Sequence, residues 1–209
     1  MPMIIFSKNR VIAFSDAIFS IAITLLILEI NIPNADIIQR QGTFGALAKL
    51  FPSFIGFVVS FLVTALYWIS HLTFSRFIKA YDTQLLWLNI FLLFFVILLP
   101  FSTAFYVGSV ALDGPFMWYC GNLVMLGFCN YLMIRKTVKN PVHPITSTTA
   151  KYLKFKSLNA VFVWLIALLI TPFVPFIISR GLFVLLFIVE FLAKRYLSRK
   201  GDIVFPSQE

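Results

Sequence analysis

Long apolar runs separated by short polar segments make up most of this chain. The runs are roughly 20 residues long, which is the length an α-helix needs to cross a bilayer, and they lack the alternation typical of barrel strands. The pattern therefore predicts an all-α, polytopic membrane protein, with residues 1–209 forming one six-helix transmembrane domain. The six spans are predicted near residues 11–31, 48–75, 85–108, 115–134, 157–178 and 181–197.

The polar segments predict how the spans are connected. The stretch from Arg135 to Lys156 is the one substantial loop expected, because it is polar and contains two prolines. Pro172 and Pro175 interrupt the fifth span and are followed by a short polar turn, so the fifth and sixth spans should form a tight hairpin.

Composition and charge support a membrane protein and indicate its orientation. Hydrophobic residues make up 60% of the chain and charged residues 12%, and a soluble domain of this size could not bury so much apolar surface. The 17 Lys and Arg residues outnumber 8 acids, but they lie beside apolar spans, which favours contact with the membrane surface over nucleic acid. Most fall on the side of the membrane that holds both termini, so the positive-inside rule predicts that both termini are cytoplasmic.

The first span contains ionisable residues, which are rare at membrane depth. Asp16 should face a partner helix or an aqueous path, or else lie near the inner interface as a cap or a snorkelling side chain. Glu29 is expected at the outer interface. Ile21, Leu25 and Leu28 form one stripe on the same helix, and Thr24 lies beside it. Such a stripe either packs or faces lipid, unless several copies meet on an axis and form a hydrophobic constriction.

Other polar positions give weaker signals. Trp68 and His71 share a face near the end of the second span. His71 is either a hydrogen-bonded structural residue, a proton sensor or part of a network with Asp16. Cys120 and Cys129 are expected to be packing thiols. The chain carries none of the familiar hydrolase, metalloprotease or phosphate-loop motifs, so we expect no enzyme, no cofactor and no metal site.

The residues of the first span also carry a family resemblance. Arg10-Val-Ile-Ala-Phe14-Ser15-Asp16 resembles the RxxxFSD motif of the transmembrane protein 175 family of potassium channels. The likeness continues through Ala17 to Ile30 and recurs in Trp68-Ile-Ser-His71 and Leu99-Pro-Phe-Ser-Thr103. Ser70 departs from the pattern, because many relatives have a second histidine at that position.

This resemblance implies a potassium-permeable cation channel of the prokaryotic, single-repeat type, which assembles as a homotetramer in the bacterial inner membrane. The first helix of each subunit would line a central pore, with Ile21, Leu25 and Leu28 as the constriction and Thr24 as a ring of hydroxyls. A supporting network would hold this helix in place; its implied members are Arg10, Phe14, Ser15, Asp16, Trp68 and His71. A proton- or cation-coupled transporter is the alternative, prompted by Asp16, Glu29 and Glu190 within or at the ends of apolar spans.

Overall fold

The described part of the chain is almost entirely helical. The computed structural model describes residues 5–139, 141–142, 144–199 and 203. Six stretches are long and apolar enough to cross a membrane, so the predicted all-α, six-span architecture is confirmed. The helices are α1 (Lys8–Leu25), α2 (Ala35–Lys49), α3 (Phe51–Ser75), α4 (Thr83–Val107), α5 (Asp113–Lys139), α6 (Ser147–Ile170), α7 (Phe176–Gly181) and α8 (Val184–Ser198).

Helices α4 and α5 form the centre of the bundle. Helix α4 packs against α1, α3 and α5, and α5 packs in turn against α6, whose other neighbour is α8. Large side chains fill the space between them, including Tyr119, Leu123 and Trp164, all at most 2% exposed. The span that contains α8 is the least buried, so most of its surface is available to lipid.

A short two-stranded sheet fixes the start of α1. Strand β1 (Ile5–Phe6) pairs antiparallel with β2 (Tyr81–Asp82), which directly precedes α4. The Asp82 carboxylate then caps α4 by accepting a hydrogen bond from the Leu85 amide at 2.8 Å, and it pairs with Lys136 Nζ at 2.6 Å. The beginning of α1 is thereby joined to the start of α4 and the end of α5.

The loop predicted from Arg135 to Lys156 is shorter in the structure, so its predicted extent was wrong. Helix α5 continues to Lys139 and α6 begins at Ser147, where the Thr146 hydroxyl accepts a hydrogen bond from the Thr149 amide. Hydropathy detects the part of a helix that suits lipid, and the first ten residues of α6 are too polar for that criterion. Tyr152 and Leu153 are nevertheless buried, so packing holds this turn of helix in place.

Two other boundaries differ from the prediction. Residues 35–49 form the separate helix α2, which breaks from helical geometry at Gly42 (φ 70°, ψ 165°), and α3 begins only at Phe51. The fifth span ends at its prolines in a 3₁₀ turn at Thr171–Phe173, and so it stops short of the predicted residue 178. The sixth begins earlier than predicted, because α7 already starts at Phe176 and is separated from α8 by a short turn.

Candidate functional site: the first helix and its supporting network

Helix α1 has two distinct faces. Val11, Ser15, Phe19 and Ala22 are buried, and Leu26 continues this stripe into the 3₁₀ turn Leu26–Glu29 that follows the helix. Their spacing of three or four residues places them on one side of the helix. This side packs against α3 and α4, so α1 is anchored to the bundle along its whole length.

The opposite face of α1, which continues into the 3₁₀ turn, is largely uncovered by the described part of the subunit. Ile21 is 58% exposed, Leu25 41% and Leu28 73%, and Thr24 is exposed beside them. The Thr24 hydroxyl donates to the carbonyl of Ile21 at 2.8 Å, which leaves its oxygen lone pairs directed away from the backbone. The stripe predicted from spacing therefore lies on one continuous, outward-facing surface.

A buried hydrogen-bonded group lies directly behind α1. Asn89 of α4 donates through Nδ2 to Ser15 Oγ at 3.0 Å and pairs through Oδ1 with His71 Nε2 at 2.9 Å. All three residues are at most 1% exposed. Because the Asn89 oxygen accepts, the ring proton of His71 lies on Nε2 in this arrangement. Asn89 thus connects α1, α3 and α4 in one contact.

Asp16, one residue along α1 from Ser15, has a partner of its own. The Trp68 indole nitrogen donates to Asp16 Oδ1 at 2.9 Å. Both side chains are half-buried, which is the geometry expected of a charged group that faces a partner helix at membrane depth. Of the two sequence-based alternatives for Asp16, the structure shows the partner helix.

Arg10 and Phe14 lie apart from these contacts. Phe14 is 59% exposed, Arg10 is also exposed, and Arg10 forms no ion pair within the described residues. Both line a cleft of about 490 Å³ between the start of α1 and α4, and Asn89 lies in its wall. The six implied supporting residues therefore divide into four that form hydrogen bonds and two at the rim of this cleft.

A second polar group joins α3, α4 and α5. Thr103 of α4 donates to Ser60 Oγ of α3 at 3.0 Å, and Ser60 donates to the Tyr119 hydroxyl of α5 at 3.1 Å. Asn122 of α5 donates to Ser102 Oγ at 3.1 Å. Each of these residues is a hydroxyl or amide within an apolar span, which is the one signal that could have identified them. Cys120 and Cys129 are buried free thiols, as predicted.

Comparison with known proteins bears on this architecture. Residues 10–100, from the motif of α1 through most of α4, match the family model described as the endosomal/lysosomal potassium channel TMEM175. The predicted resemblance to the TMEM175 family is confirmed over this part of the chain. It covers every residue of the Ser15, Asn89 and His71 contact and the uncovered face of α1.

The relatives of this chain include bacterial proteins. A potassium channel of Streptomyces collinus is 43% identical over 97 residues, which is 46% of this chain and 46% of the relative. A potassium channel of Chamaesiphon minutus is 38% identical over 46% of this chain and 47% of the relative. The chain thus aligns with about half the length of these relatives. A potassium channel of Chryseobacterium is 25% identical over 82% of this chain and 86% of the relative.

Solved TMEM175 structures have the same fold. The crystal structure of a lysosomal potassium-selective channel TMEM175 homolog from Chamaesiphon minutus superimposes with a TM-score of 0.77 at 23% identity, covering 91% of this chain and 97% of that one. A structure of the potassium channel MtTMEM175 gives a TM-score of 0.60 at 21% identity, covering 91% and 93% of the two chains. The likeness in fold extends beyond the residues matched by the family model to the later helices.

Proposed function

We propose that this chain is the subunit of a homotetrameric, potassium-permeable channel in the bacterial inner membrane. The whole chain acts as one six-helix domain, and the uncovered face of α1 lines a central pore. Cations cross passively through a hydrophobic constriction formed by four copies each of Ile21, Leu25 and Leu28. Thr24 contributes a ring of hydroxyls within this constriction.

The observation that carries this proposal is the contrast between the two faces of α1. One face is fixed to the bundle by buried packing and by the contacts of Ser15 and Asp16, whereas the other presents aliphatic side chains and a hydroxyl to the outside of the subunit. A helix held this firmly presents its outer side chains in one position. Rings of such apolar side chains can narrow a pore and gate it by dewetting.

The names of the relatives indicate which ion the proposed channel conducts. The bacterial proteins aligned with about half of the chain are named potassium channels. The Chryseobacterium relative, aligned over most of the chain, is also named a potassium channel. An aliphatic constriction offers no oxygen ligands to replace the hydration shell of the ion. Discrimination between potassium and sodium should therefore depend on dehydration cost and on the hydroxyl oxygen of Thr24.

The distribution of charge supports the orientation. The start of α1, the segment after α3, the ends of α5 and α8 and the start of α6 all carry Lys or Arg residues. The pairing of β1 with β2 and of Lys136 with Asp82 brings the start of α1, the segment after α3 and the end of α5 together at one end of the bundle. That end is cytoplasmic by the positive-inside rule, with both termini on the same side.

Two of the three acidic residues that suggested a transporter have structural partners. Asp16 accepts a hydrogen bond from Trp68, and Glu190 pairs with Lys156 at 2.6 Å. These contacts favour a structural role over a coupling site that must load and release protons. A transporter would nevertheless give saturable uptake driven by a proton gradient, whereas a channel gives single-channel currents far faster than a transport cycle.

Planar-bilayer recording of the reconstituted protein under bi-ionic potassium and sodium gradients tests the proposal. Ile21→Ser and Leu25→Ser should each change the single-channel conductance or the open probability, because a hydroxyl weakens a dewetted constriction. The matched control is Ile97→Ser, because Ile97 is 57% exposed, close to the 58% of Ile21, but lies on α4. Currents altered by Ile97→Ser and unaltered by both α1 substitutions would refute the pore assignment.

A further inference from the structure

The indole N–H of Trp164 is a buried donor on α6. Trp164 is 2% exposed, and its Nε1 has no hydrogen-bond acceptor within the described ranges of the chain. Its ring packs edge-on against the ring of Tyr119, with 5.9 Å between the centroids, so the indole is held in one orientation. Buried polar atoms in native proteins almost always have a protein or water partner. An acceptor supplied by a bound molecule is therefore expected at this position.

Trp164 lines a small cavity between α3, α5, α6 and α8. The volume open to the centres of water molecules is about 40 Å³. A buried water needs roughly 10–15 Å³ measured in this way, together with two to four polar partners, so the cavity has room for about three waters. Space and an unused donor thus occur at the same place.

Polar side chains supply the other hydrogen-bonding groups of this cavity. Amides and hydroxyls of three helices lie in its wall, namely those of Ser70, Asn130, Ser157 and Asn159. Lys156 of α6 and Glu190 of α8 also line it, and their charges are paired at 2.6 Å. Lys156 and the Tyr152 hydroxyl both contact Oε1 of Glu190, and the other carboxylate oxygen can accept hydrogen bonds from water.

The cavity adjoins a wider cleft that leads toward the end of the bundle. Ser70 and Lys156 line both spaces, and the wider cleft, of about 180 Å³, reaches Lys194 near the end of α8. Along α6, Trp164 lies eight residues beyond Lys156, which corresponds to about 12 Å of helix. Ionisable side chains at membrane depth normally face protein or a water-filled space. The position of the ion pair between the two spaces fits the second case.

We infer that the cavity is a water-binding site, in which about three ordered waters extend from the ion pair of Lys156 and Glu190 to Trp164 Nε1. The water beside Trp164 accepts from the indole and donates to the polar wall. An acyl chain, the other occupant available in a membrane, offers no acceptor to an N–H group. The least buried span, which contains α8, is thereby attached to α6 through a hydrated polar contact as well as by packing. This site is separate from the face of α1 and does not rest on the proposed channel function.

Nuclear magnetic resonance of the purified full-length chain tests this inference. With ¹⁵N-labelled tryptophan in detergent micelles, the four tryptophans give four indole N–H resonances, and the one missing from Trp164→Phe belongs to Trp164. In the wild type, this indole proton should show a nuclear Overhauser cross-peak to water and none to detergent chains. Ala160→Leu enlarges a side chain of the cavity wall and should abolish the water cross-peak. The matched control is Ala150→Leu, because Ala150 is also half-buried on α6 but lies outside the wall; this variant should retain the cross-peak.

Three results would overturn the site. A cross-peak to detergent chains in place of water would show an apolar occupant, and the absence of both would show a dry cavity with an unsatisfied donor. A water cross-peak of full intensity in Ala160→Leu would show that water approaches Trp164 from outside this cavity. If Ala160→Leu fails to fold, the wild-type spectrum alone decides between water, detergent and neither. Because no ion flux is measured, each result leaves the proposed channel function untouched.

Discussion

The indole nitrogen of Trp68 lies 2.9 Å from Asp16 Oδ1 and donates a hydrogen bond to it. This contact joins α3 to α1 beside the Ser15 and Asn89 pair. It gives the only ionisable residue in the middle of α1 a fixed direction, away from the face that carries Ile21 and Leu25. Together with the buried packing of α1 and the contact between Ser15 and Asn89, the bond fixes the rotation of α1 about its own axis.

Loss of this bond should loosen α1. Trp68→Phe keeps the aromatic ring but removes the donor, and hydrogen bonds to charged groups contribute roughly 1.5–3 kcal/mol. Because both partners are only half-buried, we expect the lower end, a fall of about 1.5 kcal/mol in the free energy of unfolding in micelles. The control Trp87→Phe, at a position 54% exposed on α4, should change it by less than about 0.5 kcal/mol. Equal losses at the two tryptophans would contradict the role of the bond.

Substitution of Asn89 should lower the stability of the protein more than substitution of any exposed amide side chain. Asn89→Ala leaves His71 Nε2 and Ser15 Oγ without their shared partner in a buried site. Single side-chain hydrogen bonds between membrane helices average about 0.6 kcal/mol, but two are lost here, so we expect a destabilisation of about 1–2 kcal/mol. Hydrogen exchange should also accelerate in α1 around Phe19, which packs on the His71 ring at 6.0 Å. Exposed Asn31→Ala is the control, and an exchange rate unchanged from wild type in Asn89→Ala would argue against the connection.

The sequence predicted the span count and the stripe of α1, but not the contacts behind it. Hydropathy is local, so six apolar runs could be read directly, and helical spacing placed Ile21 and Leu25 on one face. Asn89 was visible as a polar residue, yet its position between Ser15 and His71 depends on how three helices pack. The early start of α6 at Ser147 was missed for the same reason, because burial of Tyr152 stabilises a turn whose composition resembles a loop.

Close packing around α5 leaves little room for a side chain at Gly127. A Cβ at Gly127 would lie 2.9 Å from the Tyr67 hydroxyl and 3.1 Å from Val161 Cγ2. Tyr67 is 5% exposed and donates to the Leu123 carbonyl, so it has little room to move. Gly127→Ala should therefore destabilise the protein by about 1–3 kcal/mol through overpacking, measured by denaturant titration in micelles.

The same helix provides the control for that prediction. At Gly121 a Cβ would meet only Leu168 Cδ1, at an ordinary 3.6 Å. Gly121→Ala should be neutral or slightly stabilising, because alanine favours a helix over glycine by up to about 1 kcal/mol. A Gly127→Ala protein as stable as Gly121→Ala would show that α5 and its neighbours can separate without penalty.

Acid should weaken the link between α4 and α5 through Asp82, which lies outside the apolar spans. Burial acts to raise the pKa of Asp82, but hydrogen bonds from Lys136 and the Leu85 amide outweigh it and hold the pKa below its ordinary value. A carboxyl with a lowered folded-state pKa stabilises the fold fully above its unfolded pKa, about 3.9, and loses that contribution as pH falls through the folded value. Stability should thus be flat near neutral pH and decline below about pH 4.

Asp82→Asn isolates this contribution to the acid response. Asparagine still caps α4 but cannot form the ion pair, whose side chains are 28% and 32% exposed, so the variant should lose only about 0.5 kcal/mol at pH 7. Plotted from pH 6 to about pH 3, the stability difference between wild type and Asp82→Asn should shrink toward zero, since protonated aspartate and asparagine then resemble each other. Lys139→Met, which removes an exposed cation from the same helix end, should leave the pH profile unchanged. A difference that stays constant across this range would mean that Asp82 does not titrate in contact with Lys136.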